Sequence, residues 1–166
     1  MRRYRGIYLL CVLCATVWFS SCAPKVITPR TIGTIGMERR VLIATQESQF
    51  KESVVNKVIE ELEGDEVYIE VVDLKALSQK PRERYEAVVI LNEYQFFRLN
   101  HHVREYLKNA DEEEKKRIIL ITTAGSPHRM REVTEVDAIS SASKPERADT
   151  VSETILQKVH TLFSSK

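Results

Sequence analysis

Cysteine is almost absent from most of this chain: of 166 residues only Cys11, Cys14 and Cys22 are cysteines, so residues 23–166 can form no internal disulfide and no cysteine metal site. An excess of either charge is also lacking. The 25 basic and 24 acidic residues nearly cancel, and the first 21 residues hold three arginines and no acid, which leaves 22 basic against 24 acidic residues beyond them. Without a basic excess there is no general electrostatic reason to hold nucleic acid or an anionic surface. Apolar runs long enough to span a bilayer comfortably are missing too; the longest, residues 6–19, falls short of the roughly 20 residues a spanning helix needs. What remains is one domain's length with 43% hydrophobic residues, which excludes a collagen, a coiled-coil rod and a wholly disordered chain.

The N-terminus has the plan of a secretory signal: Arg2, Arg3 and Arg5, then the apolar run, then small residues. The run Phe19-Ser20-Ser21-Cys22 resembles a bacterial lipobox, which implies removal of residues 1–21 and lipid attachment at Cys22. The Cys11 and Cys14 spacing of a redox motif lies inside the discarded segment and carries no redox reading. Ala23 after the cysteine favours an outer-membrane address, on its periplasmic side, if the source has two membranes. Residues 22–38 carry Pro24, Pro29, Gly33 and Gly36 without sustained periodicity, and are expected to be a flexible tether reaching on the order of 20 Å. The expected partners are thus the lipid bilayer and an unidentified envelope protein or small ligand, not nucleic acid.

Residues 39–166 form the expected domain. Val41-Leu-Ile-Ala44, Val67-Tyr-Ile-Glu-Val-Val72, Ala87-Val-Val-Ile-Leu91 and Ile118-Ile-Leu-Ile121 have strand length, and three lack polar alternation, as strands covered on both faces do. Val136-Asp-Ala-Ile-Ser140 is a weaker fifth candidate. Between them Val54, Val55, Val58, Ile59 and Leu62 recur at helical intervals with Gly64 as the stop, Leu99, Val103, Tyr106 and Leu107 make a second apolar face ending at Asn109, and Val151, Ile155, Val159, Leu162 and Phe163 make a third. Pro81 and Pro127 leave room for only short helices in 75–83 and 125–135.

Tyr85-Glu-Ala-Val-Val-Ile-Leu91, Val103-Arg-Glu-Tyr-Leu-Lys-Asn109 and Thr122-Thr-Ala-Gly-Ser126, in this order of elements, resemble a flavodoxin-like domain of the short type that includes menaquinone-dependent protoporphyrinogen oxidase. The resemblance covers nearly all of the domain. It implies an α/β three-layer sandwich, a five-stranded parallel sheet in the order 2-1-3-4-5, and shortened helices after strands two and four. Any ligand would then lie at the carboxyl ends of strands one, three and four.

Such a family holds the FMN phosphate in the loop after strand one, with a pattern like T-x-[ST]-G-[NT]-[TA]. The run here is Thr45-Gln46-Glu47-Ser48-Gln49-Phe50, in which Thr45 matches while Glu47, Ser48 and Phe50 depart. A carboxylate about 5 Å from one phosphate charge is unfavourable by roughly 3 kcal/mol at an effective dielectric near 20. The helix terminus returns only about 0.3–1 kcal/mol for each anionic charge. Glu47 and Ser48 are therefore expected to cap the next helix, and Glu47 to keep FMN phosphate out. No cofactor is expected on this reading. Tyr94 faces a ligand, while Phe96 and Phe97 pack beneath their loop.

The candidate rim is Thr45, Glu47, Ser48, Gln49, Asn92, Tyr94, Thr123, Gly125 and Ser126, beside a basic loop with His128, Arg129 and Arg131. Other chemistries fit poorly. A receiver domain needs acids where Thr45-Gln46 and Asn92-Glu93 stand, and adjacent His101 and His102 do not share a helical face for a metal. Ser126 lacks the nucleophile-elbow pattern, and no catalytic residue is assigned. The function expected is a membrane-anchored envelope lipoprotein whose flavodoxin-like domain binds a ligand or partner. An FMN-dependent electron-transfer flavoprotein or quinone-linked oxidoreductase is the alternative.

Overall fold

The computed structural model describes residues 27–94, 98–124, 137–142 and 144–165. The expected signal and Cys22, Phe96, Phe97, and the stretch 125–136 with Gly125, Ser126, His128, Arg129 and Arg131 lie outside the described residues, as does the expected short helix after strand four.

Among the described residues six strands form one sheet: β1 (Arg30–Ile32), β2 (Arg39–Thr45), β3 (Val67–Asp73), β4 (Ala87–Glu93), β5 (Ile118–Ala124) and β6 (Asp137–Ala142), ordered β1-β3-β2-β4-β5-β6. From β3 to β6 all pairings are parallel, which is the expected five-stranded order. The addition is β1, antiparallel to β3 with Arg30 opposite Val71 and Ile32 opposite Ile69. It lies inside 22–38, so part of the segment expected as tether belongs to the sheet. Three residues, two of them exposed, leave no readable period, yet they satisfy backbone groups that β3 would otherwise present on an open edge.

Period two along the strands divides the core. Val41 and Ile43 face one side with Val89, Leu91, Ile119 and Ile121, under α1 (Gln49–Leu62) and the C-terminal α4 (Ala148–Ser164). Leu42 and Ala44 face the other with Val88, Ile90 and Leu120, under α2 (His101–Lys108) and two 3₁₀ turns, Leu74–Gln79 and Arg82–Arg84. These turns are the shortened crossover expected after the second parallel strand. They are stabilised laterally by Glu70, which accepts from Lys80 Nζ at 2.5 Å and from the Tyr85 hydroxyl at 2.5 Å. Burial pushes the Glu70 carboxyl up, but the hydrogen bonds from Lys80 and Tyr85 outweigh it and hold the group below its usual value.

Two local expectations are corrected. Gly64 lies in a 3₁₀ turn after α1, and it is Glu66, at φ 53°, that takes the left-handed turn into β3. Residues 111–117, read as a solvated run, contain a short helix α3 (Glu112–Lys115), closed by a reciprocal capping box between Asp111 and Glu114.

Candidate functional site

The carboxyl ends of β2, β4 and β5 meet at one edge of the sheet, and the turn from β2 into α1 forms its first wall. Ser48 is the N-cap of α1: its Oγ accepts from the Lys51 backbone N–H at 3.1 Å, and its carbonyl accepts from Glu52 N–H at 2.9 Å. Glu47 and Gln49 are exposed on either side of it. Thr45 is buried and its hydroxyl is directed back to the Gln46 carbonyl, 3.3 Å away, so the residue that matches a phosphate loop does not offer its Oγ1 to the edge.

The second wall is the end of β4. Asn92 is fully buried; its Oδ1 accepts from the Asn100 N–H at 3.0 Å, while Asn100 Oδ1 caps α2 through the His102 N–H at 3.0 Å. Asn92 Nδ2 and Thr122 Oγ1, on strands where the two residues are paired in register, are buried without a hydrogen-bond partner among the described residues. Tyr94 is half-buried, its backbone N–H donating to the Thr123 carbonyl at 2.8 Å. Thr123 is itself buried and donates its hydroxyl to the Asn92 carbonyl at 3.3 Å. Thr45, Asn92 and Thr123 therefore brace the edge, and Glu47, Ser48, Gln49 and Tyr94 are the expected residues that border its surface. Gly125 and Ser126 fall outside the described residues.

The residues that tie the walls together were not singled out from sequence. Glu93 Oε2 accepts from Gln46 Nε2 at 2.9 Å and lies 3.8 Å from Lys51 Nζ, so one carboxylate joins β4 to the β2–α1 turn. The Lys51 side chain is only 2% exposed. Burial draws its ammonium down to about 8, against a smaller upward pull from Glu93. Its sequence signal was present: a lysine at an otherwise apolar helical position beside Phe50, Val54 and Val55.

Two clefts meet at Glu93. One, of about 360 Å³, is bordered by Ser48, Lys51 and Pro145. The other, of about 510 Å³, lies between Gln46 and the start of α2 and is bordered by Arg98, His101 and Arg104. Neither guanidinium has an ion-pair partner among the described residues. A third cleft, about 430 Å³, runs from Gln46 and Glu47 to Ile27, Thr28 and Arg30 at the start of the described residues.

A phosphate seated in the β2–α1 turn would meet the Glu93 carboxylate, which already faces the Lys51 ammonium, beside the exposed acidic Glu47 and at a first helical turn already capped by Ser48. These residues do not fit the FMN phosphate. Among the described residues no cluster of three or more His, Cys, Asp or Glu suited to a metal occurs, and the His101 and His102 rings lie against one another, centroids 3.7 Å apart.

No protein-family model matches the chain, and no curated protein sequence matches it. Solved structures do share its fold. The Flv1 flavodiiron core from Synechocystis has a TM-score of 0.60 at 9% identity, over 79% of this chain and 38% of that one, so this chain spans well under half of that protein's length. Oxidised Flavodoxin 2 from Bacillus cereus gives 0.51 at 13% identity, over 74% and 98% of the two chains. A flavodoxin, WrbA-like protein from Agrobacterium tumefaciens gives 0.51 at 8%, over 77% and 99%. Parallel strand order, alternating crossovers and these likenesses agree that the domain is a flavodoxin-like α/β sandwich.

Proposed function

We propose that this protein is a lipid-anchored module of the cell envelope whose flavodoxin-like domain binds a ligand or partner at the strand-end edge without an FMN phosphate. The observation that supports it most is the Gln46–Glu93–Lys51 bridge beside the capped turn, in which one carboxylate already occupies the donors a phosphate would need. The chain's own groups then do two things there. Glu93 holds the two loops at a fixed separation, and Ser48 satisfies the first turn of α1, so the edge is rigid before anything binds. Titration of the purified protein with FMN, followed by absorbance and flavin fluorescence, is expected to show no saturable binding in the micromolar range. A yellow protein, or tight saturation, would overturn it.

That outcome would establish the second reading, an FMN-dependent electron-transfer flavoprotein or quinone-linked oxidoreductase. Its support is the flavodoxins among the fold's neighbours and the half-buried Tyr94 at the end of β4, an aromatic group beside the place of a flavin ring. Anchoring rests on the lipobox resemblance at residues 19–22. Cys22→Ser is expected to release the protein from the membrane fraction; a variant that stays membrane-bound with precursor mass equal to wild type would show that acylation is not the anchor.

A further inference from the structure

The short strand β1 fixes where the chain enters the fold. Because it runs antiparallel to β3, its first residue, Arg30, sits opposite Val71 near the carboxyl end of β3, on the same edge as the candidate site. Ile27 and Thr28, just before it, border a cleft with Gln46, Glu47 and Ser48. Only four residues lie between Cys22 and Ile27 in sequence, so the five Cα steps reach at most about 18 Å. Strands β2, β3, β4 and β5 are seven residues long, about 23 Å. A chain anchored at Cys22 and entering at this edge cannot reach past the height of the sheet, so the domain cannot stand on its opposite edge.

The entry edge also carries the basic cleft. Arg98 and Arg104 border it together with Glu93, His101 stands beside them, and among the described residues neither guanidinium has an ion-pair partner and the Nδ2 of the fully buried Asn92, which supports Asn100 in the cleft wall, has no hydrogen-bond partner. Guanidinium groups match phosphoryl oxygens in planar, paired hydrogen bonds. The chain as a whole has no basic excess, so this cation pair is a local feature of the edge that the tether leads to the bilayer.

We propose that the strand-end edge faces the membrane at contact distance and that the Arg98–Arg104 cleft docks on the phosphate of lipid headgroups. This rests on the lipid anchoring proposed above. The ligand or partner of the edge is then one met at the membrane surface.

The two ends of α1 provide the test. Gln49 is exposed at the site edge, and Gly64 is exposed just past the other end of the helix with open space around it. The mature chain has no cysteine beyond Cys22, so Gln49→Cys or Gly64→Cys gives a unique thiol for a fluorophore. The lipoprotein carrying either label is reconstituted into vesicles of phosphatidylethanolamine and phosphatidylglycerol containing a headgroup nitroxide quencher. With the labels about 22 Å apart along the helix, quenching at position 49 is expected to exceed that at 64 by at least about threefold. Arg98→Gln with Arg104→Gln is expected to reduce the difference by half or more. Equal quenching at the two positions, greater quenching at 64, or a difference untouched by the arginine changes overturns the proposal. Co-flotation and intact mass of the same samples separate the two failures: anchored protein with equal quenching sinks only the orientation, whereas protein that neither floats nor carries acyl chains sinks the anchoring reading as well.

Discussion

Lys51 sits in the first turn of α1 with its ammonium nearly out of water, and a single carboxylate, that of Glu93 at 3.8 Å, offsets only part of that desolvation. Its folded value, about 8, lies below the ordinary 10.5. The unfolded chain therefore binds the extra proton between these two values. Stability rises as pH increases through this window and is lost as pH falls back through about 8. Lys51→Met keeps the side-chain length and removes the titration. Chemical denaturation between pH 7 and 10.5 is expected to show a wild-type slope steeper than the variant's by up to about 1.4 kcal/mol per pH unit. Parallel curves would mean that Lys51 is better solvated than its surroundings imply. At the neighbouring positions, Glu47→Thr with Ser48→Gly removes one carboxylate and restores a glycine to the turn at a capping cost of a few tenths of a kcal/mol. FMN affinity is expected to rise at least tenfold, about 1.4 kcal/mol. No change in a protein that already binds FMN tightly would show that Glu47 does not guard the turn.

Among the elements, β1 shows how a segment without pattern becomes structure. Its three residues read as tether in the sequence because Pro24, Pro29, Gly33 and Gly36 surround them without sustained periodicity, and in the sheet two of the three are exposed. The strand is fixed from outside, by the open edge of β3 and by Gly33. That glycine takes φ +82°, and a Cβ there would meet the Val67 carbonyl oxygen at 2.7 Å and Met37 Sδ at 2.8 Å. Gly33→Ala is thus expected to destabilise the protein by about 1–3 kcal/mol, through a disfavoured backbone and a close backbone approach. Urea unfolding would measure it, and an unchanged midpoint would mean that the β1–β2 connection tolerates rearrangement. The longer helices behaved differently. The apolar faces of α1, α2 and α4 were legible because each buries one stripe against a flat sheet, and Ser48, Asn100 and Asn109 mark their ends locally.

For the molecule as a whole, the two faces of the sheet are covered by separate apolar clusters built entirely from chain atoms. A domain of this size buries about two thirds of its unfolded surface. Residues 27–166 are expected to unfold cooperatively and to be indifferent to chelator and reductant. Removing 27–38 as well should lower the melting temperature by several degrees, since β3 would lose the partner of its outer edge, at roughly 4–8 °C per kcal/mol for small domains. Unfolding that depends on added metal, or equal melting of the two fragments, would count against this account of the edge.

Sequence alone determined the layers: the apolar runs of β2, β3, β4 and β5 have strand length and the helical faces between them recur at about 3.6 residues, both contained in a local window, whereas the five-strand parallel order was only what the flavodoxin-like resemblance implied. Tertiary structure alone decided the site. Gln46 and Glu93 are 47 positions apart, and although the expected strand order lays β4 beside β2, no local pattern indicates that these two side chains will close a hydrogen bond there. The edge at which the chain enters was likewise settled by the antiparallel pairing of β1 with β3. Strand direction relative to a distant partner is a property of the sheet, and three residues carry no record of it.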